Sequence, residues 1–100
     1  MVGDSNDPFL ISVGVQQKLI TKHNVVLAEV KQCFYNFSGQ KFLEDRREQH
    51  KSDPPTLWFI SETDAGRQLK ICFIMNSDNT FRIKSAFEPN IEELKIFFGQ

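Results

Sequence analysis

From Asp45 to Asp53 the chain reads Asp45-Arg46-Arg47-Glu48-Gln49-His50-Lys51-Ser52-Asp53, without one apolar side chain. This run gathers acid–base and anion-holding groups in a short span. His50 can move protons near neutral pH, Glu48 can act as a base, and Arg46 and Arg47 can grip a phosphate through their planar forks. It also reads as a plain solvated connection, since it offers nothing to a core and Pro54-Pro55 closes it.

A second set of cations lies further on. Between residues 66 and 87, Arg67, Lys70, Arg82 and Lys84 stand against Asp78 alone. Strand alternation gives them a direction. Over Arg67 to Met75, the residues Leu69, Ile71, Phe73 and Met75 alternate with Gln68, Lys70, Cys72 and Ile74. Over Thr80 to Phe87, the residues Phe81, Ile83, Ser85 and Phe87 alternate with Arg82, Lys84 and Ala86. The apolar sets must face the core. Lys70, Arg82 and Lys84 are therefore expected together on the far face, above Cys72, Ile74 and Ala86. Such a face suits a phosphate-bearing ligand such as RNA, or an acidic protein, and it is also what an ordinary wet sheet face looks like.

The elements that would position these residues follow from periodicity. Phe9 to Val15 reads as a short strand or a helix lead-in. Gln16 to His23 reads as a helix stopped at Asn24, a residue that tolerates the left-handed conformation. His23 at that end is favoured as a cation by the helix dipole. Val25 to Phe34 forms a second helix with Leu27, Val30 and Phe34 on one stripe. Lys41 to Asp45 is a short strand. Thr56 to Ser61, Arg67 to Met75 and Thr80 to Phe87 are strands joined by turns at Thr63-Asp64-Ala65-Gly66 and Asn76-Ser77-Asp78-Asn79. Asn90 caps a last helix with Glu92 and Glu93 in its first turn and Ile91, Leu94 and Phe98 on one face. The expected fold is α+β: N-terminal helices, an antiparallel β-meander of three to four strands and a C-terminal helix, with the helices packed on one sheet face. Alternation leaves open which face takes Trp58.

Composition bounds the possibilities. One hundred residues make a single domain, 1–100, with 1–8 expected as a disordered acidic tail. With 40% hydrophobic and 25% charged residues the chain can bury a core, and no apolar run is long enough for a membrane span. A net charge of −1 argues against non-specific coating of nucleic acid. The acidic start does not look like a secretory signal, so a cytoplasmic location is expected. Cys33 and Cys72 are too far apart in sequence for a zinc motif and read as small buried hydrophobes. No phosphate loop, dinucleotide fingerprint or metal-ligand pair is present, so no cofactor is expected. Ten phenylalanines and open sheet edges make a homodimer feasible.

The order of short motifs resembles the BrnT-type toxins of the RelE/ParE-like superfamily. Lys22-His23-Asn24-Val25 is similar to that family's "KHGV" entry, and Arg47-Glu48 to its acidic–arginine loop. Gly66-Arg67-Gln68-Leu69-Lys70-Ile71 is similar to its glycine-led central strand, and Arg82-Ile83-Lys84-Ser85-Ala86 to its "RIISAR" strand. The resemblance covers about residues 16–98. It implies a metal-independent endoribonuclease or translation inhibitor of the type II toxin–antitoxin kind, with RNA as substrate and a small antitoxin protein as partner. Carried onto this chain, Arg67 and Arg82 are the phosphate clamps and Glu48 the acid–base group. His50 and Lys84 join them from the reading of the residues. Asn24 stands at the family's glycine and Phe87 at its last arginine. Those departures favour the alternative, a non-catalytic protein-interaction module of the same fold.

Overall fold

The computed structural model describes residues 7–39, 41–47 and 53–99. The elements run β1 (Phe9–Leu10), α1 (Val13–His23), α2 (Leu27–Asn36), β2 (Leu43–Glu44), β3 (Leu57–Glu62), β4 (Gln68–Met75), β5 (Phe81–Phe87) and α3 (Ile91–Phe98). The five strands form one sheet in the order β1-β5-β4-β3-β2.

Local chemistry sets the ends of these elements. Ser12 Oγ accepts from Val15 N at 3.1 Å and starts α1 three residues before the expected Gln16. Asn24 stops it at φ 54°, as its residue type foretells. Asn90 Oδ1 accepts from Glu93 N at 2.8 Å while Glu93 Oε1 accepts from Asn90 N at 2.9 Å, a reciprocal capping box for α3. Gly66 (φ 86°) and Asn79 (φ 68°) supply the left-handed residues of the two hairpin turns.

The fold is α+β with three helices, as expected, but its sheet is mixed. β2 to β5 run antiparallel in chain order, and β1 adds a parallel edge beside β5 through Phe9↔Phe81 and Leu10↔Arg82. Residues 7 and 8, which precede β1, bond to this edge and to α2. Phe81 N donates to Pro8 O at 2.7 Å, and the Asp7 carboxylate takes the Lys31 ammonium at 2.6 Å.

A β-bulge changes the facing of β5. Cys72 pairs with Ser85, yet the next residue, Phe73, pairs with Ile83, so Lys84 is the extra residue. Beyond it the alternation is inverted. Ala86 lies opposite Ile71 and is fully buried, while Ser85 and Phe87 lie opposite Cys72 and Lys70. The expected far face of Arg82, Lys84 and Ala86 is therefore broken after Ile83.

The core is aromatic. The ring of Phe34 in α2 lies 4.8 Å from Phe59, 5.1 Å from Phe73 and 5.1 Å from Phe81. Phe59 and Phe73 belong to one sheet face by alternation. The opposite face carries Trp58 and Lys70, and these meet α3: the Trp58 and Phe97 rings are 5.8 Å apart, and Lys70 Nζ bonds Glu93 at 2.8 Å. The helix contacts thus fall on both faces, against the expectation of one. The cause is the polar–apolar mixture of the second face, where Trp58, Ile60 and Cys72 need cover.

Candidate functional site

Glu48 and His50 lie outside the described residues. Arg46 is exposed on the chain leading to them. Arg47 is exposed too, and its Nε and Nη2 donate to the two carboxylate oxygens of Asp45 at 3.1 and 2.9 Å. That bidentate pair raises the guanidinium's pKa further above its ordinary value and occupies its fork.

Arg67, half-buried, is held by four partners. Its Nε donates to Glu88 at 2.8 Å, and Nη1 to the Asn24 carbonyl at 2.7 Å and to Glu29 at 3.2 Å. Nη2 donates to the His23 carbonyl at 3.0 Å. The guanidinium therefore closes the C-terminal end of α1, where unpaired carbonyls concentrate negative potential. Its bond to Glu88, ahead of those to Glu29, raises its pKa. His23 contributes its carbonyl to this knot, and its ring lies 5.4 Å from Phe87.

Arg82 is exposed and sits opposite Ile74. Arg67 directly precedes β4, so the two arginines stand at opposite ends of that strand, roughly 23 Å apart at 3.3 Å per residue. They do not close on one phosphate.

Lys70 is only 6% exposed, although alternation placed it on an open face. Its ammonium is 2.8 Å from Glu93 and 4.4 Å from the centre of the Trp58 ring. Helix α3 masks it. Lys84 is exposed at the bulge, out of step with the ladder. The three cations expected side by side are thus one buried, one on a bulge and one near the far strand end. The reading failed because alternation fixes a side chain's face but says nothing of what covers that face.

Burial also quiets the thiols. Desolvation pushes Cys33 up to about 12 and Cys72 up to about 11, so neither is a ready nucleophile. Among the described residues, no group of three or more His, Cys, Asp or Glu is placed to hold a metal ion. No helix there is long and apolar enough to cross a membrane.

A concavity lies elsewhere. A cleft of about 960 Å³ opens between the end of α2 and the end of α3. It is lined by Phe37, Ser38, Gly39 and Lys41 after α2, by Phe97 and Phe98 at the end of α3, and by the second half of β3 with its turn. Five contacts fix its shape. Asn36 Nδ2 donates to the Glu62 carbonyl and to Asp64 Oδ1, both at 3.0 Å. Asp64 N donates to Gln32 Oε1 at 3.0 Å. Phe37 stacks on Phe42 at 5.2 Å and reaches across to Phe97 at 6.2 Å. Gly39 lies on the Phe37 ring so closely that a Cβ there would collide with Cε1 and Cζ, which explains a glycine at this place.

Phe98, which lines the cleft, packs edge-on against Phe97 at 5.1 Å yet is 62% exposed. From sequence, Ile91, Leu94 and Phe98 share one face of the last helix; in the fold, Phe97 takes the buried place, Leu94 packs half-buried against the core, and Ile91 and Phe98 stay largely exposed. None of Asn36, Phe37, Gly39, Glu62, Asp64 and Phe98 was expected as a site residue; the sequence marked Asp64 only as part of a turn and Phe98 only as part of a helix face.

Comparison of the chain with protein-family models, with curated proteins and with solved structures gives no match.

Proposed function

We propose that this domain is a non-catalytic protein-interaction module that receives a segment of a partner polypeptide in the cleft between α2 and α3. The observation that carries the reading is Phe98. A large aromatic side chain stands exposed at the lip of a shaped cleft, supported from behind by Phe97. Aromatic residues in such places dominate protein–protein binding energies, and a cleft already fixed by Asn36 and Gly39 loses little entropy when it is filled. The metal-independent ribonuclease reading asks Arg67 and Arg82 to share one phosphate. Their separation and the four partners of Arg67 give that reading less support.

The test is a selection of random twelve-residue peptides displayed on phage against the purified domain, with Phe98→Glu as the counter-screen. Phe98 is exposed, so its replacement leaves the fold intact, which the fluorescence of Trp58 verifies. The expected result is a set of peptides whose affinity falls at least tenfold on Phe98→Glu. Recovery of no peptide that depends on Phe98 overturns the reading. Incubation of the domain with a generic messenger RNA, with no cleavage expected, addresses the competing enzyme directly.

A further inference from the structure

The rim of the cleft says which partner chemistry it favours. We infer that the segment it receives is cationic as well as apolar: a stretch of aliphatic or aromatic residues accompanied by Lys or Arg. The inference rests on the proposed interaction module and adds the partner's charge.

Two exposed carboxylates, Glu62 and Asp64, stand on the β3–β4 side of the cleft. Asp64 is held in place there by the Asn36 amide and by Gln32. Among the described lining residues Lys41 is the sole cation, on the segment that follows α2. An apolar segment that covers this cleft takes water away from both carboxylates. Without a compensating charge that desolvation weakens binding. A Lys or Arg on the incoming segment compensates it, and an approaching cation is also steered toward this rim. An RNA brings phosphates to the same rim and meets repulsion. A second copy that presents the same patch adds two further carboxylates to an apolar contact, which is again unfavourable. The exposed ring of Phe98 adds a surface on which a guanidinium can stack.

The peptides recovered from the display selection provide the test. They are expected to carry net positive charge. Replacing their Lys and Arg by Glu is expected to weaken binding at least tenfold. Glu62→Lys should reverse the preference, so that the acidic counterpart becomes the better ligand. Asp64→Asn keeps an oxygen for Asn36, removes the charge, and should weaken the basic peptides several-fold. Peptides that depend on Phe98 but are neutral or acidic, or that ignore both substitutions, overturn the inference and leave the interaction module standing. An absence of peptides dependent on Phe98 overturns both.

Discussion

The Lys70 ammonium lies 2.8 Å from the Glu93 carboxylate, with side chains only 7% and 19% exposed. This pair ties the central strand to α3 and removes from the surface the cation on which a polyanion face depended. Lys70 also stands over the Trp58 ring, so one indole reports on the whole junction.

Glu93→Ala leaves a buried ammonium without its anion and also breaks the capping box of α3. The expected loss is about 3 kcal/mol, read from urea unfolding followed by Trp58 fluorescence. Lys70→Met should cost less, because Glu93 keeps its bond from Asn90 N and part of its hydration. A loss in Lys70→Met as large as that in Glu93→Ala would contradict this ordering, and a double mutant that loses less than the sum of the two would show that they act as a pair.

The same pair sets an acid limit. Burial pushes Glu93 up, but its bonds from Lys70 and Asn90 win, and its carboxyl sits below its ordinary value of 4.5. A carboxyl lowered by folding contributes stability that is complete above its unfolded value and lost as pH falls through the folded one. Stability should therefore decline as the solution is acidified below about pH 4.5. In Lys70→Met this part of the decline should be smaller. A pH titration of the urea midpoint checks it.

Arg67 and Arg82 should behave as opposites. Arg67→Ala strips four partners from the end of α1 and should cost about 2 kcal/mol. Arg67→Lys should recover little of this, since an ammonium cannot reach Glu88, Glu29 and two carbonyls at once. Arg82→Ala on the open surface should stay within about 0.5 kcal/mol of the parent. Thermal unfolding of the three variants gives the comparison. A neutral Arg67→Ala would show that its bonds are dispensable and reopen a role in ligand binding.

Cys33 and Cys72 should resist a thiol reagent such as 5,5′-dithiobis(2-nitrobenzoic acid) at pH 8, because both thiols are buried and their pKa values are raised. Reaction should follow opening of the protein and accelerate in urea. Rapid reaction of Cys72 alone in the native state would mean that its side of the sheet opens locally.

Local chemistry in the chain determined most elements of this protein. Asn24 and Asn90 set helix ends, Gly66 and Asn79 set hairpins, and an apolar run between two turns marked β4, because each of these effects acts within a few residues. The tertiary structure alone decided three things. One extra residue at Lys84 turned Ser85, Ala86 and Phe87 over, since a bulge is a property of a strand pair and not of a strand. Helix α3 crossed to the second face and buried Lys70 with Glu93, since charge pairing across twenty-odd residues leaves no periodic trace. The cleft arose where the ends of α2 and α3 meet over β3, three segments distant in sequence whose side chains become neighbours only when the sheet is assembled.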